Sequence, residues 1–466
     1  MSKNIAIVGA GASGLFAAYT FSKDKNYNVY LFEQGADIDK RHCPIMEGKA
    51  NKCINCANCH ISGSVGGAGA FSDGKYILST EYGGWLQDVV GKEKAMEYMY
   101  KADDVLVSFG ATTKFFEPDD EMKKTFLQNN LHMLQARCKH LGTDANYETM
   151  VKMVDYLKSC SNIHILSNTR IINVFNLTNG KKSLMGESKF DLPHVDFDYV
   201  IFAVGRSGSR FFNEWCTRND IPATNNQVDI GVRVEIPAIV WNDFTDKIYE
   251  PKIVYKTKQY EDWVRSFCVN PKGEVVVENN DGILSVNGHS YSDPSKYTNN
   301  TNFALLSTIH FTEPFNEPVE YARRIVSLAN AVSGGSVIVQ TLGDLERGRR
   351  TNEHRLSKNT VVPTLKAAVA GDLSLCMPKR QLDNIIETLH AIDKAMPGTA
   401  NPDTLLYGIE AKYYSAKVKT DENFEFVNNG VGGYYAVGDG SGMTRSLSQA
   451  SAQGIMVAEN IMNLGE

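Results

Sequence analysis

Residues 4–33 read NIAIVGAGASGLFAAYTFSKDKNYNVYLFE. Ile5-Ala6-Ile7-Val8 is an apolar run of strand length without polar alternation, the pattern of a parallel strand buried on both faces. Gly9-Ala10-Gly11-Ala12-Ser13-Gly14 follows, then the apolar helical run Leu15–Phe21, then a second strand, Asn28–Phe32, ending in Glu33. Each glycine has its own task. Gly9 permits the tight turn, Gly11 lets backbone approach a pyrophosphate, and Gly14 lets helix and strand pack closely. The helix N-terminus offers free N–H groups and partial positive charge to phosphates. Glu33, nineteen residues past Gly14, is placed to accept hydrogen bonds from ribose hydroxyls. The stretch predicts a βαβ unit that binds a dinucleotide.

The end of the chain repeats this logic. Gly433–Val437 reads as a strand, Gly438-Asp439-Gly440-Ser441-Gly442 as a turn, and Ala450–Met462 as a helix. An Asp at that turn can bind a hydroxyl of a ribityl chain. The helix behind it can stabilise negative charge on a reduced ring. An N-capping Asp in an ordinary β–turn–α connection gives the same local pattern. The pairing with residues 9–14 at the opposite end favours a flavin. Between the ends, Asp198–Val204 is another apolar strand, closed by Gly205-Arg206-Ser207-Gly208. Residues 63–75, GSVGGAGAFSDGK, carry many glycines without a helical period. That suggests backbone close to a ligand and puts Gly67, Ala68 and Gly69 among the cofactor contacts.

The remaining segments set the organisation. Residues 35–75 form a Cys- and Gly-rich loop. Residues 86–160 read as helical, with candidates at 92–109, 119–140 and 146–160, followed by short strands at His164–Leu166 and Arg170–Val174. Residues 216–425 mix strands (228–236, 252–256, 274–278, 303–310) with helices near 316–333 and 379–395. The expected fold is α/β: a split Rossmann-like FAD-binding domain, 1–215 and 426–466, with an inserted mixed β/α substrate domain at 216–425.

Composition narrows the function classes. Of 466 residues, 42% are hydrophobic and 22% charged, ordinary for a folded protein, so disorder over the whole chain is excluded. The net charge of −6 gives no ground for a general nucleic-acid binder, although a local basic patch stays open. No apolar run reaches the roughly 18 residues of a membrane helix, and the first residues lead straight into a strand rather than a secretory leader. The expectation is a cytoplasmic protein without a membrane partner. Nine Cys make no disulfide scaffold, but Cys43, Cys53, Cys56 and Cys59 fall within 17 residues. Their C-x9-C-x2-C-x2-C spacing can ligate a [4Fe–4S] cluster or a zinc ion; a loop of free thiols is the alternative.

Two further groups invite a role. Arg347, Arg349 and Arg350, with Arg355 and Lys358 close behind, could grip an anionic substrate or form a solvated face. Ser72, Asp73 and Lys75 are the candidate catalytic acids and bases, although Asp73-Gly74 is also a common turn pair. A second strand–GxGxxG–helix–acid unit is missing, so a dedicated NAD(P)H domain is not expected. The partners then are a small-molecule substrate and an electron donor or acceptor that the sequence does not name.

Gly9–Gly14 with Glu33, Phe202-Ala203-Val204-Gly205 and Ala436–Asp439 resemble the three dinucleotide-binding signatures of glutathione-reductase-type flavoproteins. More narrowly, Gly66–Lys75, Phe267-Cys268 with Pro271 and Gly273, Asn287-Gly288, Leu405–Glu410 and Gly438–Gly454 are similar to a bacterial group known as uncharacterised FAD-dependent dehydrogenases. The resemblance spans nearly the whole chain. It implies Gly11, Ala12, Ser13 and Gly14 at the FAD pyrophosphate and Glu33 and Gln34 at the adenosine ribose. It puts Ile171 at the adenine through its backbone, and Ala203 and Gly205 beside the adenosine end. Asp439, in the Gly438–Gly442 turn, would meet ribityl or pyrophosphate, with Met443 and Thr444 by the isoalloxazine. The group's Cys-x-Cys-Pro-Gly-Gly stretch appears here as Cys268-Val269-Asn270-Pro271-Lys272-Gly273, without the second Cys a redox pair would need. The implied activity is that of an FAD-dependent oxidoreductase working by hydride or electron transfer at flavin N5. An FAD-dependent lyase or transferase without net redox, for example on a nucleic-acid base, is one rival. A non-enzymatic redox-sensing flavoprotein is the other.

Overall fold

The computed structural model describes residues 2–464 except 46, 51–52, 55, 57, 135, 189–191, 281, 312–313, 315–316 and 428–431. Its first sheet has five strands in the order Tyr434–Ala436, Tyr199–Phe202, Lys3–Val8, Tyr27–Phe32 and Ile163–Leu166. Every pairing in it is parallel. The two ends of the chain therefore share one sheet. Ile5, Ala6 and Ile7 are completely buried, as their unbroken apolar run requires of a strand covered on both sides. The helices Ala12–Phe21 and Leu447–Asn463 pack on each other along this sheet. They cross closely at Gly454, where a Cβ would stand 2.2 Å from the Ser13 carbonyl oxygen. No side chain fits there, so the close crossing of the first and last helices requires a glycine.

The second sheet has eight strands: Val369–Ala370, Ile338–Thr341, Leu405–Lys412, Val228–Pro237, Asn300–Ile309, Trp263–Asn270, Ile253–Lys256 and His132–Met133. Its centre is antiparallel, and only the 338–369 pairing is parallel. Val228–Pro237 is buried at every position but the last. Both faces are therefore covered, which brings Asp229, Arg233 and Glu235 inside along with the valines. Such charges must be paired to be tolerated there. The helices Pro318–Val332 and Lys379–Ala395 pack against this sheet.

The helix expected over 119–140 ends at Leu127. Asn130 takes a left-handed φ of 58°, and Leu131 turns inward to pack in the core that also holds Phe126. His132–Met133 then pairs with Val254 and Ile253 at the edge of the second sheet, and Arg137–His140 pairs with Lys75–Leu78. Helical periodicity misled here because these short strands draw their hydrogen-bond partners from remote chain. A strand from the first 215 residues thus completes the sheet built by the middle region.

Candidate functional site

A cavity of about 1120 Å³ lies where the carboxyl ends of the first sheet's strands face the second sheet. It exceeds the roughly 300–1,000 Å³ of ordinary small-molecule pockets. Gly9, Gly11, Ala12, Ser13, Glu33, Gln34, Gly67, Ala68, Gly69, Ile171, Ala203, Gly205, Asp439, Gly442 and Thr444 all line it. These positions come from six separated stretches of sequence, and the fold brings them to one wall.

The three glycines of the first turn divide their labour as the sequence suggests. Gly9 has φ +110°, and a Cβ on it would meet the Ala203 carbonyl oxygen at 2.3 Å. At Gly14 a Cβ would meet the Gly9 carbonyl oxygen at 2.1 Å. Both are packing glycines; Gly14 does not appear in the cavity wall. Gly11 differs: a Cβ there would find only the Gly67 Cα, at 3.9 Å. Its missing side chain leaves open cavity in front of the first turn of the helix, whose N–H groups have no intrahelical acceptor. A pyrophosphate fits such a cradle.

Glu33 is buried, and both carboxylate oxygens are in use. Oε2 accepts from the Ala10 N–H at 3.0 Å; Oε1 accepts from Gly35 at 2.9 Å and Ser64 at 3.2 Å. The side chain that faces the cavity therefore also ties the glycine turn to the 63–75 loop. Ile171 sits at a register shift in the strand Thr169–Asn176. Asp439 accepts from Thr444 Oγ1 at 2.9 Å, and burial pushes its carboxyl up against the opposing pull of Arg206 and Thr444. Gly438 and Met443 lie behind the wall: Gly438 N donates to Gln453 at 2.8 Å, and Met443 is buried with its carbonyl bonded to the Trp85 N–H at 2.8 Å.

Ser72, Asp73 and Lys75 also line the cavity. The Ser72 hydroxyl donates to the Gly69 carbonyl at 2.7 Å, which stabilises the turn. Lys75 Nζ lies 2.7 Å from Asp73 and 3.3 Å from Glu250, and it also donates to the Val269 carbonyl. Burial works against the Lys75 charge, but Asp73, Cys268 and Glu250 outweigh it and hold its pKa well above that of an ordinary lysine. Glu250 is buried too, yet Lys252 and Lys75 pull its pKa down to about 2. Asp73 further accepts from Asn270 Nδ2 at 2.7 Å. Ion pairs and hydrogen bonds tie Asp73, Lys75 and Glu250 into one cluster.

Beside them in the lining stand Lys252, Arg265 and Phe267 from the second sheet's side, Tyr414 just past its strand Leu405–Lys412, and Arg445 from the loop before the last helix, next to Trp85. Arg265 and Arg445 converge on the buried Asp229, at 3.3 Å and 4.0 Å. Phe267 and Arg445 fall inside stretches that carry the family resemblance, without a role assigned there; Trp85, Lys252, Arg265 and Tyr414 lie in no motif, because only the fold brings them together.

Other candidates lie elsewhere. Arg347, Arg349 and Arg350 are exposed and do not line the cavity. Arg347 donates to the Gly343 carbonyl at 3.0 Å, and Arg349 pairs with Asp344 at 2.6 Å. This run closes the end of a short helix, and the solvated-face reading describes its setting. Cys43, Cys53, Cys56 and Cys59 are free thiols outside the cavity wall. Desolvation, then the thiols of Cys53, Cys59 and Cys43, push the Cys56 thiol up. Cys53 Sγ accepts from Asn279 Nδ2 at 3.1 Å. Among the described residues no group of three or more His, Cys, Asp or Glu is arranged to hold a metal ion, so the [4Fe–4S] or zinc expectation gains no ligand set. Also among them, no helix is long and apolar enough to cross a membrane.

Residues 227–413 match the family described as FAD-dependent protein, C-terminal domain-like, and residues 7–38 match the NAD(P)-binding Rossmann-like domain. An uncharacterized protein of Clostridium beijerinckii is 27% identical over 475 residues, covering 98% of this chain and 80% of its own. Among solved structures, glycine oxidase from Geobacillus kaustophilus is similar with a TM-score of 0.41 at 10% identity, covering 99% of this chain and 95% of that one. CtdE in complex with FAD and substrate 4 has a TM-score of 0.39 at 12% identity, covering 99% and 80%.

Proposed function

We propose that this FAD-dependent protein is an oxidoreductase that holds FAD along the wall formed by residues 9–14, 203–205 and 438–444 and reacts it with a small molecule lodged against the second sheet. The carrying observation is the cradle at Gly11, which packs closely beside Gly67 at the wall of the cavity that the other glycine turns also line. When bound, FAD would supply hydride or electron transfer at its N5. Everything else falls to the chain. The first turn of Ala12–Phe21 would offer its N–H groups to the pyrophosphate, Glu33 fixes the glycine turn that precedes it, and Asp439 would offer a carboxylate to the polyol.

Lys75 keeps its proton at neutral pH because Asp73 and Glu250 neutralise it. Asp73, Glu250 and the Val269 carbonyl take up its N–H groups, so it serves as scaffold in the cavity wall and not as a base. The Ser72 hydroxyl proton is engaged by Gly69, which leaves it a structural part. The electron partner is a separate molecule: the chain has one parallel sheet of nucleotide-binding type among the described residues.

Purified protein should release non-covalent FAD on heating or acid treatment, identified by chromatography. A chain that neither carries FAD nor takes it up defeats the proposal, and release of NAD(P) instead would reassign residues 7–38 to that nucleotide. Anaerobic stopped-flow mixing of FAD-loaded protein with NADH and NADPH should give slow, non-saturating bleaching. Fast bleaching that saturates at micromolar nucleotide would reveal a second nucleotide site.

A further inference from the structure

We infer that the substrate of this cavity carries an oxyanion group, a carboxylate or a phosphate, received by Arg265 and Arg445; the inference rests on the oxidoreductase reading for the word substrate, and on the chain alone for the site. Two guanidinium groups share a single acid here. Asp229 is completely buried and already accepts from Thr308 Oγ1 at 2.7 Å, from Arg265 Nη2 at 3.3 Å and from the Tyr414 hydroxyl. Arg445 Nη1 reaches it only at 4.0 Å. Asp229 is thus the one carboxylate the pair touches; Asp439, which also acts on Arg445, is shared with Arg206 at 3.9 Å, and Lys252 has its own partner in Glu250.

The hydrogen-bond ledger agrees with the charge. Arg265 Nε, Arg445 Nε and Arg445 Nη2 are buried and have no hydrogen-bond partner. Both residues line the cavity, as does Ser415, whose buried hydroxyl is equally unpartnered. Buried donors without acceptors are costly, and guanidinium edges are shaped for the two oxygens of a carboxylate or phosphate. The Arg445 group is also held in place: its Cζ lies 3.8 Å from the Trp85 ring centre and 3.5 Å from that of Tyr414. Aromatic faces fix the plane of the fork, and its edges are left to bond. Burial pulls the Arg445 pKa down, against the opposing effect of Tyr414 and Asp229, as expected for a cation that still lacks an anion. An oxyanion supplies the acceptors. The site adjoins Thr444, beside which the flavin ring is proposed to lie, so an anchored substrate would present its reacting carbon to that ring.

The test titrates acetate, benzoate and inorganic phosphate into FAD-loaded protein, followed by the visible flavin band, and into apo-protein, followed by calorimetry. At least one anion should bind saturably, and Arg265→Met and Arg445→Met should each weaken it about tenfold or more while FAD affinity holds. Arg445→Lys keeps the charge, loses the fork, and should fall between; it also serves should the Met variant fail to fold. Preference for acetate or benzoate assigns a carboxylate, and preference for phosphate assigns a phosphate. No saturable binding in either form, or binding that ignores all three substitutions, overturns the inference even where FAD is bound. Arg445-dependent anion binding by a chain that takes up no FAD keeps the site and overturns the flavin reading instead.

Discussion

The buried Arg233 and the half-buried pair Arg265 and Arg445 have opposite settings. Arg233 is completely buried and makes a two-pronged pair with Glu410, Nε to Oε2 and Nη2 to Oε1, both at 2.8 Å. Its remaining hydrogens go to the Cys268 carbonyl at 2.8 Å, to Asn270 and Asn302 at 3.2 Å, and to Asn287 at 3.0 Å. Every donor of the fork is used. The Arg265–Arg445 pair, by contrast, shares one carboxylate and leaves three donors buried and unbonded. A saturated ion pair gains nothing from a ligand and acts as scaffold; an unsaturated one facing a cavity is where a ligand gains most. The contrast also accounts for three stretches that the family resemblance picked out. Phe267-Cys268, Asn287-Gly288 and Leu405–Glu410 converge on Arg233. Gly288 is glycine because a Cβ would meet Asn302 Oδ1 at 2.1 Å and Arg233 Nη1 at 2.7 Å.

The comparison can be broken most severely at Arg233. Arg233→Met takes the two-pronged partner from the buried Glu410, leaving only Lys412 at 2.9 Å, and should cost about 3–5 kcal/mol in urea unfolding. Adding Glu410→Leu should recover much of it, because both charges then leave together. A loss under about 1 kcal/mol would remove Arg233 from the scaffold.

Gly11→Val probes the ligand side of the contrast. A Cβ there meets only the Gly67 Cα, at an ordinary 3.9 Å, so the variant should keep apo stability within about 1 kcal/mol yet lose FAD affinity a hundredfold or more, about 3 kcal/mol. Gly14→Val should do the reverse and damage the fold itself, since its Cβ strikes the Gly9 carbonyl. Equal unfolding of both variants would deny that the two glycines differ.

Glu33 stands between the two regions, bonded to the scaffold and facing the cavity. Glu33→Ala should lower both apo stability and FAD affinity, each by about 1.5–3 kcal/mol. An effect on FAD alone would mean that its backbone bonds matter little.

A pH scan gives a smaller and graded effect. His140 is half-buried, within reach of Tyr249, at 2.7 Å, and Ser290, at 3.1 Å. Burial lowers its pKa to about 4; Asp73, Glu250 and Asp144 oppose that and Lys75 adds to it. The unfolded chain protonates His140 near pH 6.5 and the folded one does not, so stability is full above about 6.5 and falls as pH drops toward 4. The slope is at most about 1.4 kcal/mol per pH unit. His140→Gln should flatten that part of the profile measured by urea unfolding; an unchanged profile would assign it to other groups. At the small end, Arg350→Ala should shift stability by under about 0.5 kcal/mol and leave FAD and anion binding unchanged, since the residue is exposed and away from the cavity.

The sequence by itself determined the nucleotide half. Strand, turn, helix and acid follow one another within residues 5–33, and the roles of Gly9, Gly11 and Gly14 follow from local backbone geometry that a short stretch can encode. The terminal strand and the turn at 438–442 were legible for the same reason, as were four strands and the two long helices of the middle region, whereas Trp263–Asn270, Ile283–His289, Ile338–Thr341 and Leu405–Lys412 were not read as strands. Tertiary structure alone decided the rest. The strands at 132–133 and 137–140 exist because remote chain supplies their hydrogen bonds, which helical periodicity cannot report. The arginine run at 347–350 is conspicuous in sequence and faces solvent, whereas Arg265 and Arg445 are inconspicuous and face the cavity. A charge is read along the chain by its neighbours in sequence, but its energy is set by its neighbours in space. Asp229, Tyr414 and Trp85 become those neighbours only when the second sheet closes against the first.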